Sequence, residues 1–450
     1  MDTQTNSSFE FLQLQAASLL IYQSVLTDEV GQAFLNLLRS LRQIDLLQSL
    51  RHSEVDELGC VRAYGNYFKA IASRNQSWQD YLIGQILIDD NPFSRQAQNT
   101  DLADLPPSLI AAVQQDLQAL QSLYQYSSEQ LIQWVQAAAK LNVPPVAWTD
   151  IPTKIATEIT GDRTVYYSIY HKLSQLDNWA DILTDLAAYY RQYGTGIFAK
   201  YRALRWQSGQ LIGIPYADPV QLQQLVGYEY QRDTLKKNTE FLLAGYPALH
   251  VLLYGSRGSG KSSLVKGLLH EYGDRNLRLI EVAKSDLVAL PTIVEQLRGV
   301  PQKFIIFVDD LSFEEDDDAF KALKVVLEGN ITARPQNVVV YATSNRRHLV
   351  REMFGDRPRP SQNEEVGVWD TVQEKLSFSD RFGLTLTFEP ANQDTYLHIV
   401  RHLATLANIS ISQADLDYRA LQWATRHNGR SGRTARQFVG FLQAELQLGS

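Results

Sequence analysis

His250-Val-Leu-Leu-Tyr254, Gly255-Ser256-Arg257-Gly258-Ser259-Gly260-Lys261-Ser262 and Ser263-Leu-Val-Lys-Gly-Leu-Leu-His270 follow one another without a break, and their reading decides the fold. The first segment is apolar and short, as a buried strand is, and the last has helical character. Between them lies the pattern G-x-x-x-x-G-K-[ST] in the strand–loop–helix setting that gives it meaning. Glycines let successive backbone N–H groups turn inward around phosphate oxygens, and the helix start adds partial positive charge. Lys261 supplies a full charge to the outer phosphates, and the Ser262 hydroxyl suits Mg²⁺. Gly255, Ser256, Arg257, Gly258, Ser259, Gly260, Lys261, Ser262 and Ser263 are therefore the expected phosphate-binding residues.

Outward from this loop, Leu277 to Val282, Phe304 to Val308 and Asn337 to Ala342 are rich in Val, Ile, Leu and Phe. Amphipathic stretches separate them, the alternation of a parallel sheet with helices on both faces. Phe304-Ile-Ile-Phe-Val308 ends in Asp309-Asp310. Mg²⁺ takes oxygen ligands, so Asp309 is expected to orient the metal together with Ser262. The next position of P-loop enzymes commonly holds a glutamate that polarises the attacking water; here it is Asp310, shorter by one methylene. Glu314 and Glu315 just downstream are the alternatives, and slow hydrolysis is one consequence of the shorter acid.

Several strings then resemble AAA+ proteins: Asp309-Asp-Leu-Ser-Phe313, Tyr341-Ala-Thr-Ser-Asn-Arg-Arg-His-Leu349, Glu374-Lys-Leu-Ser-Phe-Ser-Asp-Arg-Phe-Gly383 and Gly429-Arg-Ser-Gly-Arg433. They are similar to a bacterial AAA+ family catalogued as a domain of unknown function, most strongly over residues 205 to 445. The resemblance implies binding of ATP with Mg²⁺ and assembly into a ring of subunits, six being one candidate number. It implies that Asn345, followed by Arg346 and Arg347, contacts the terminal phosphate or its water. Arg381 matches the arginine finger that reaches a neighbouring subunit's γ-phosphate and neutralises transition-state charge there. Arg436 matches the arginine of the terminal helical lid, with Arg433 as its alternative. Leu225, Val226, Gly227 and Tyr228 match the segment that packs on adenine. The catalytic set implied is Lys261, Asp309, Asp310, Asn345, Arg381 and Arg436.

The chain has 450 residues, too many for one ordinary core. Apolar residues recur at helical spacing from residue 9 to about 205, as at Leu109, Val113, Leu117, Leu120 and Tyr124, with Pro106 and Pro107 at that helix's entrance. Trp134, Trp148, Tyr166, Tyr167, Tyr170, Trp179, Tyr189, Tyr190 and Tyr193 are interleaved with Leu, Ala and Asp rather than Lys and Arg. Packing in a core, not stacking on bases, is the expectation. The division expected is a helical domain over 1–204, a linker over 205–224 with Gly209, Gly213, Pro215 and Pro219, an α/β ATPase core over 225–390 and a helical lid over 391–450. Residues 351 to 375 read as an inserted loop.

Net charge is −8, which offers no basic signature for nucleic acid or an anionic membrane. One cysteine, Cys60, excludes an internal disulfide and suits a reducing cytoplasm. The opening residues lack the basic and apolar regions of a secretory leader, and no apolar run is long enough to span a bilayer. His398 and His402 lie four apart, as metal ligands on a helix do, but no third ligand is evident. Three functions fit these observations. The first is a ring ATPase remodelling or regulating a protein partner held by the amino-terminal domain. The second is a nucleic-acid-linked loader, which the charge disfavours. The third is a nucleotide-dependent binding switch. Lys284 to Gln302 contains no aromatic residue, which disfavours substrate threading through a pore.

Overall fold

The computed structural model describes residues 3–49, 57–148, 163–312, 318–328, 335–345, 378–427 and 429–448. Glu314, Glu315, Arg346, Arg347 and the 351–375 insertion lie outside them. The chain divides into two compact units, Met1–Lys200 and Tyr201–Ser450.

The first unit is helical: α1 (Thr3–Ala17), α2 (Glu29–Ser49), α3 (Glu57–Arg74), α4 (Trp78–Ile88), α5 (Pro92–Ala97), α6 (Pro107–Tyr124), α7 (Ser128–Ala138), α8 (Arg163–Gln175), α9 (Leu183–Tyr193) and α10 (Gly196–Lys200). Local chemistry sets many of the ends. Ser77 accepts the Asp80 N–H at the start of α4, and Ser127 with Gln130 forms a capping box at α7. Pro107 opens α6, where its missing N–H costs nothing. Several of the aromatic residues among the described ones pack inward. Trp179, Tyr190 and Trp78 are fully buried, and Phe34 stacks on Trp78 with ring centroids 4.0 Å apart. The indole N–H groups of Trp78 and Trp179 donate to the carbonyls of Leu123 and Leu173, so neither ring strands a polar atom.

The second unit is a seven-stranded sheet of order β2-β1-β4-β5-β6-β3-β7. Its strands are β1 (Ala203–Gln207), β2 (Gln210–Ile214), β3 (Val251–Gly255), β4 (Leu277–Glu281), β5 (Lys303–Val308), β6 (Val338–Ser344) and β7 (Leu384–Phe388). All pairings are parallel except β1 with β2. Its helices are α11 (Glu229–Leu243), α12 (Lys261–Tyr272), α13 (Leu290–Gln296) and α14 (Asp318–Glu328), followed by α15 (Gln393–Leu406), α16 (Gln413–Arg426) and α17 (Gly432–Leu448). The last three form their own apolar cluster around Tyr396, Val400, Ala420 and Phe438.

One stretch differs from the sequence reading. The segment read as a linker holds the β1–β2 hairpin, joined through β1 to β4. Ser208 and Gly209 both take positive φ (52° and 82°), the backbone that a two-residue hairpin turn requires. Strand β7 alternates Leu and Thr because it is the edge strand beside β3, with one side chain in two facing solvent.

Candidate functional site

The strand order places the ends of β5, β6 and β3 side by side. Leu253 lies opposite Thr343, Tyr254 opposite Ser344, and Val308 opposite Ala342. The residues just past these ends, Gly255–Lys261, Asp309–Asp310 and Asn345, must therefore meet at one edge of the sheet, where ligands bind in open α/β folds.

The phosphate loop has the backbone that its glycines predict. Gly255, Gly258 and Gly260 take φ of 132°, 73° and 94°. A Cβ on Gly255 would sit 2.1 Å from the Phe388 carbonyl oxygen, so β7 closes on the loop there. Gly260 caps α12 in the left-handed conformation, and the first turn of α12 lines the cavity. Lys261 is only 6% exposed. Its Nζ donates to the carbonyls of Gly255 (3.0 Å) and Ser256 (2.7 Å) and reaches Asn345 Oδ1 at 3.4 Å. Burial pulls its ammonium below the usual lysine range; Asp309 and Asp310 oppose that pull and Arg433 adds to it.

Ser262 Oγ donates to Asp309 Oδ1 at 2.6 Å, and Asn345 Nδ2 donates to Asp310 Oδ1 at 2.7 Å. Oxygen groups from the helix start and the acidic strand thus converge, the donor set that Mg²⁺ prefers. The left-handed loop, with its close approach to β7, is a cradle that suits a polyphosphate. Asp310 itself has φ 52°, an uncommon conformation that Asp tolerates better than most residues.

A cavity of about 580 Å³ opens beside these groups. Its apolar end is lined by Leu225, Val226, Tyr228, Phe388, Ile399 and Leu403. Tyr228 is fixed by donating its hydroxyl to the Glu389 carbonyl (2.7 Å) and by packing against Phe388. Gly227 (φ 88°) lies against Thr395 and Ile399 of α15, where a Cβ would sit 2.9 Å from the Thr395 methyl. The three-helix cluster reaches the loop through the Arg433 N–H, which donates to the Gly258 carbonyl at 3.1 Å. Arg433 and Arg436 both line the cavity. Arg381 lies outside this lining, and its Nε pairs with Glu328 Oε1 at 2.8 Å. His402 Nε2 lies 2.7 Å from the Gln223 carbonyl oxygen.

Sequence reasoning did not single out Thr343, Arg232, Ile399 or Leu403, all of which line the same cavity. The signal for Thr343 was a hydroxyl near the end of a largely apolar strand, two residues before Asn345. Ile399 and Leu403 carried only the helical spacing of any buried face.

Residues 199–446 match the family described as "Protein of unknown function (DUF815)". The chain belongs to that family. Its α/β unit carries the phosphate loop between β3, next to the edge strand β7, and α12, with three helices after the sheet. Among solved structures, a point mutant of Thermotoga maritima RuvB is 18% identical, with 51% of this chain and 66% of that chain covered and a TM-score of 0.35. The structure titled as the Thermotoga maritima RuvB Holliday junction branch migration motor is 16% identical, covering 50% of this chain and 72% of that chain, with a TM-score of 0.31. A DNA replication initiation factor is 16% identical, covering 52% of this chain and 66% of that chain, with a TM-score of 0.32. The chain thus spans slightly less than two thirds of the first and third of these proteins. No curated protein sequence matches it. No helix among the described residues is long and apolar enough to cross a membrane.

Proposed function

We propose that this DUF815-family chain binds ATP with Mg²⁺ and hydrolyses it to ADP and phosphate. The observation that carries the reading is the meeting of Lys261, Ser262, Asp309, Asp310 and Asn345 at one cavity edge, with Ser262 hydrogen-bonded to Asp309. The loop from Gly255 to Ser263 binds the phosphates, and the Leu225–Tyr228 wall packs on the base. Ser262 and Asp309 would hold Mg²⁺, which when bound would offset the negative charge of the phosphates. Asp310 polarises the attacking water and Asn345 orients it. On this reading the ATPase core runs over 225–390, and the lid over 391–450 supplies Arg433 or Arg436.

Arg381 acts on the neighbouring subunit in a ring. Its place outside the cavity of its own chain supports this, and it must leave Glu328 to do so. The helical domain holds a protein partner, and hydrolysis remodels or regulates that partner in the cytoplasm. A nucleotide-dependent switch with slow turnover is the second reading. It is favoured by the short Asp310 side chain, which is already bonded to Asn345.

Phosphate release by the full chain with ATP and Mg²⁺ tests the activity. Mixing two inactive variants, Lys261→Ala and Arg381→Ala, tests the assembly. Recovered activity in the mixture is expected, because some interfaces then pair an intact loop with an intact arginine. A mixture as inactive as its parts, or a monomer with and without ATP by mass measurement, removes the role given to Arg381.

A further inference from the structure

We propose that Thr343, near the end of β6, is a positioning residue that sets both acidic side chains of the site through one hydroxyl group. The inference rests on the ATPase reading above and adds a residue that the P-loop pattern does not contain. Thr343 Oγ1 donates to Asp309 Oδ1 at 2.5 Å, and the same oxygen accepts the Asp310 backbone N–H at 3.0 Å. One hydroxyl can do both, having one proton and two lone pairs. Its residue is 2% exposed, so the hydroxyl is largely withheld from solvent. The bond to Asp309 joins a hydroxyl to a carboxylate, the short and strong kind.

The two contacts have different consequences. The first adds a second donor from β6 to the Asp309 oxygen that Ser262 Oγ of the phosphate-loop helix reaches at 2.6 Å. The second pins the backbone of Asp310 in its left-handed turn, φ 52°. A non-glycine residue keeps such a conformation only where its surroundings hold it there. Leu311 N–H, donating to the Thr343 carbonyl at 2.7 Å, clamps the far side of the same turn. With the turn held, the Asp310 carboxylate meets Asn345 Nδ2 at 2.7 Å, and Asn345 Oδ1 meets Lys261 Nζ at 3.4 Å. The bonds thus run from Ser262 through Asp309, Thr343, Asp310 and Asn345 to Lys261, the residue beside Ser262. Thr343 is the link that joins the metal-orienting acid to the water-polarising one. Without its hydroxyl, Asp309 loses one of two orienting donors and the Asp310 N–H loses its acceptor.

Thr343→Val preserves shape and removes the hydroxyl; Thr343→Ser restores it, and Thr343→Ala serves if the valine variant does not fold. Three measurements on the full chain test the role. Amide exchange at Asp310, in protein without nucleotide or metal, is expected to quicken in Thr343→Val. The Mg²⁺ concentration that tightens a fluorescent ATP analogue is expected to rise about tenfold or more, as is usual when a ligand's supporting bond is removed. The turnover number falls by a comparable factor with KM for ATP little changed, because the loop still binds phosphate. Thr343→Ser returns all three towards wild type. Wild-type exchange and Mg²⁺ response in Thr343→Val overturn the proposal, and so does equal damage from Val and Ser. A wild-type chain that releases no phosphate overturns the hydrolysis reading instead, while the exchange at Asp310 still decides the role of Thr343.

Discussion

Asp116 of the helical unit and Asp309 of the α/β unit both collect hydrogen bonds, yet they are used differently. Asp116 is fully buried and accepts the backbone N–H groups of Leu20, Ile21 and Tyr22 at 2.7–3.0 Å. It satisfies a turn that would otherwise strand three donors, which is what a buried carboxylate must do to be tolerated. Asp309 accepts from the hydroxyls of Ser262 and Thr343 and sits exposed on a cavity. Hydroxyls can rotate towards other partners, and fixed backbone N–H groups cannot. A carboxylate saturated by backbone holds a fold together, whereas one held by hydroxyls at a cavity edge suits a ligand.

Lys261→Ala should break that comparison most sharply. It removes the buried full charge of the loop, Arg257 being exposed, so phosphate release should fall by about 10²–10³-fold, the usual effect of losing a preorganised charge-stabilising donor. The melting of the helical unit should not move. A variant that keeps its turnover would place the chemistry elsewhere.

Asp116→Ala should do the reverse. Leaving the Leu20, Ile21 and Tyr22 N–H groups without their acceptor should destabilise the helical unit by about 3 kcal/mol. Nucleotide affinity, measured by titration of a fluorescent analogue, should stay at the wild-type value. A loss of affinity equal to that of Lys261→Ala would show that the two carboxylates belong to one system.

A smaller effect separates the buried hydroxyls of the two units. Tyr341 in β6 is fully buried, bonds Asn238 Nδ2 (3.0 Å) and contacts Thr239 Oγ1 (3.0 Å), and burial pushes its phenol up to about 12. An unfolded tyrosine ionises near 10, so between about pH 10 and 12 the folded state holds the proton more tightly. Stability is therefore full below pH 10 and falls as pH rises through this window. Denaturant unfolding at stepped pH should show a shallower fall for Tyr341→Phe than for wild type, by up to about 2 kcal/mol across the window. Equal slopes would leave the alkaline loss to other tyrosines raised by burial, Tyr396 of the same unit or Tyr22 and Tyr190 of the helical unit, which meet at 3.0 Å.

The sequence by itself determined the features whose physics is local. Short apolar runs and helical periodicity marked β3, β4, β5, β6 and α6, because burial on two faces or one stripe writes itself into residue order. The spacing of Gly255, Gly260, Lys261 and Ser262 was legible for the same reason: the loop's geometry is made within eight consecutive residues. The hairpin at 203–214 was not, since its few polar and glycine residues resemble a linker until β4 supplies hydrogen-bond partners. Only the tertiary structure decided that Thr343 bonds both acids, that Arg433 donates its N–H to Gly258, and that Arg381 pairs with Glu328 outside the cavity. Those contacts join residues 33 or more positions apart, and strand order with register, which no local pattern encodes, brings the ends of β5, β6 and β3 together.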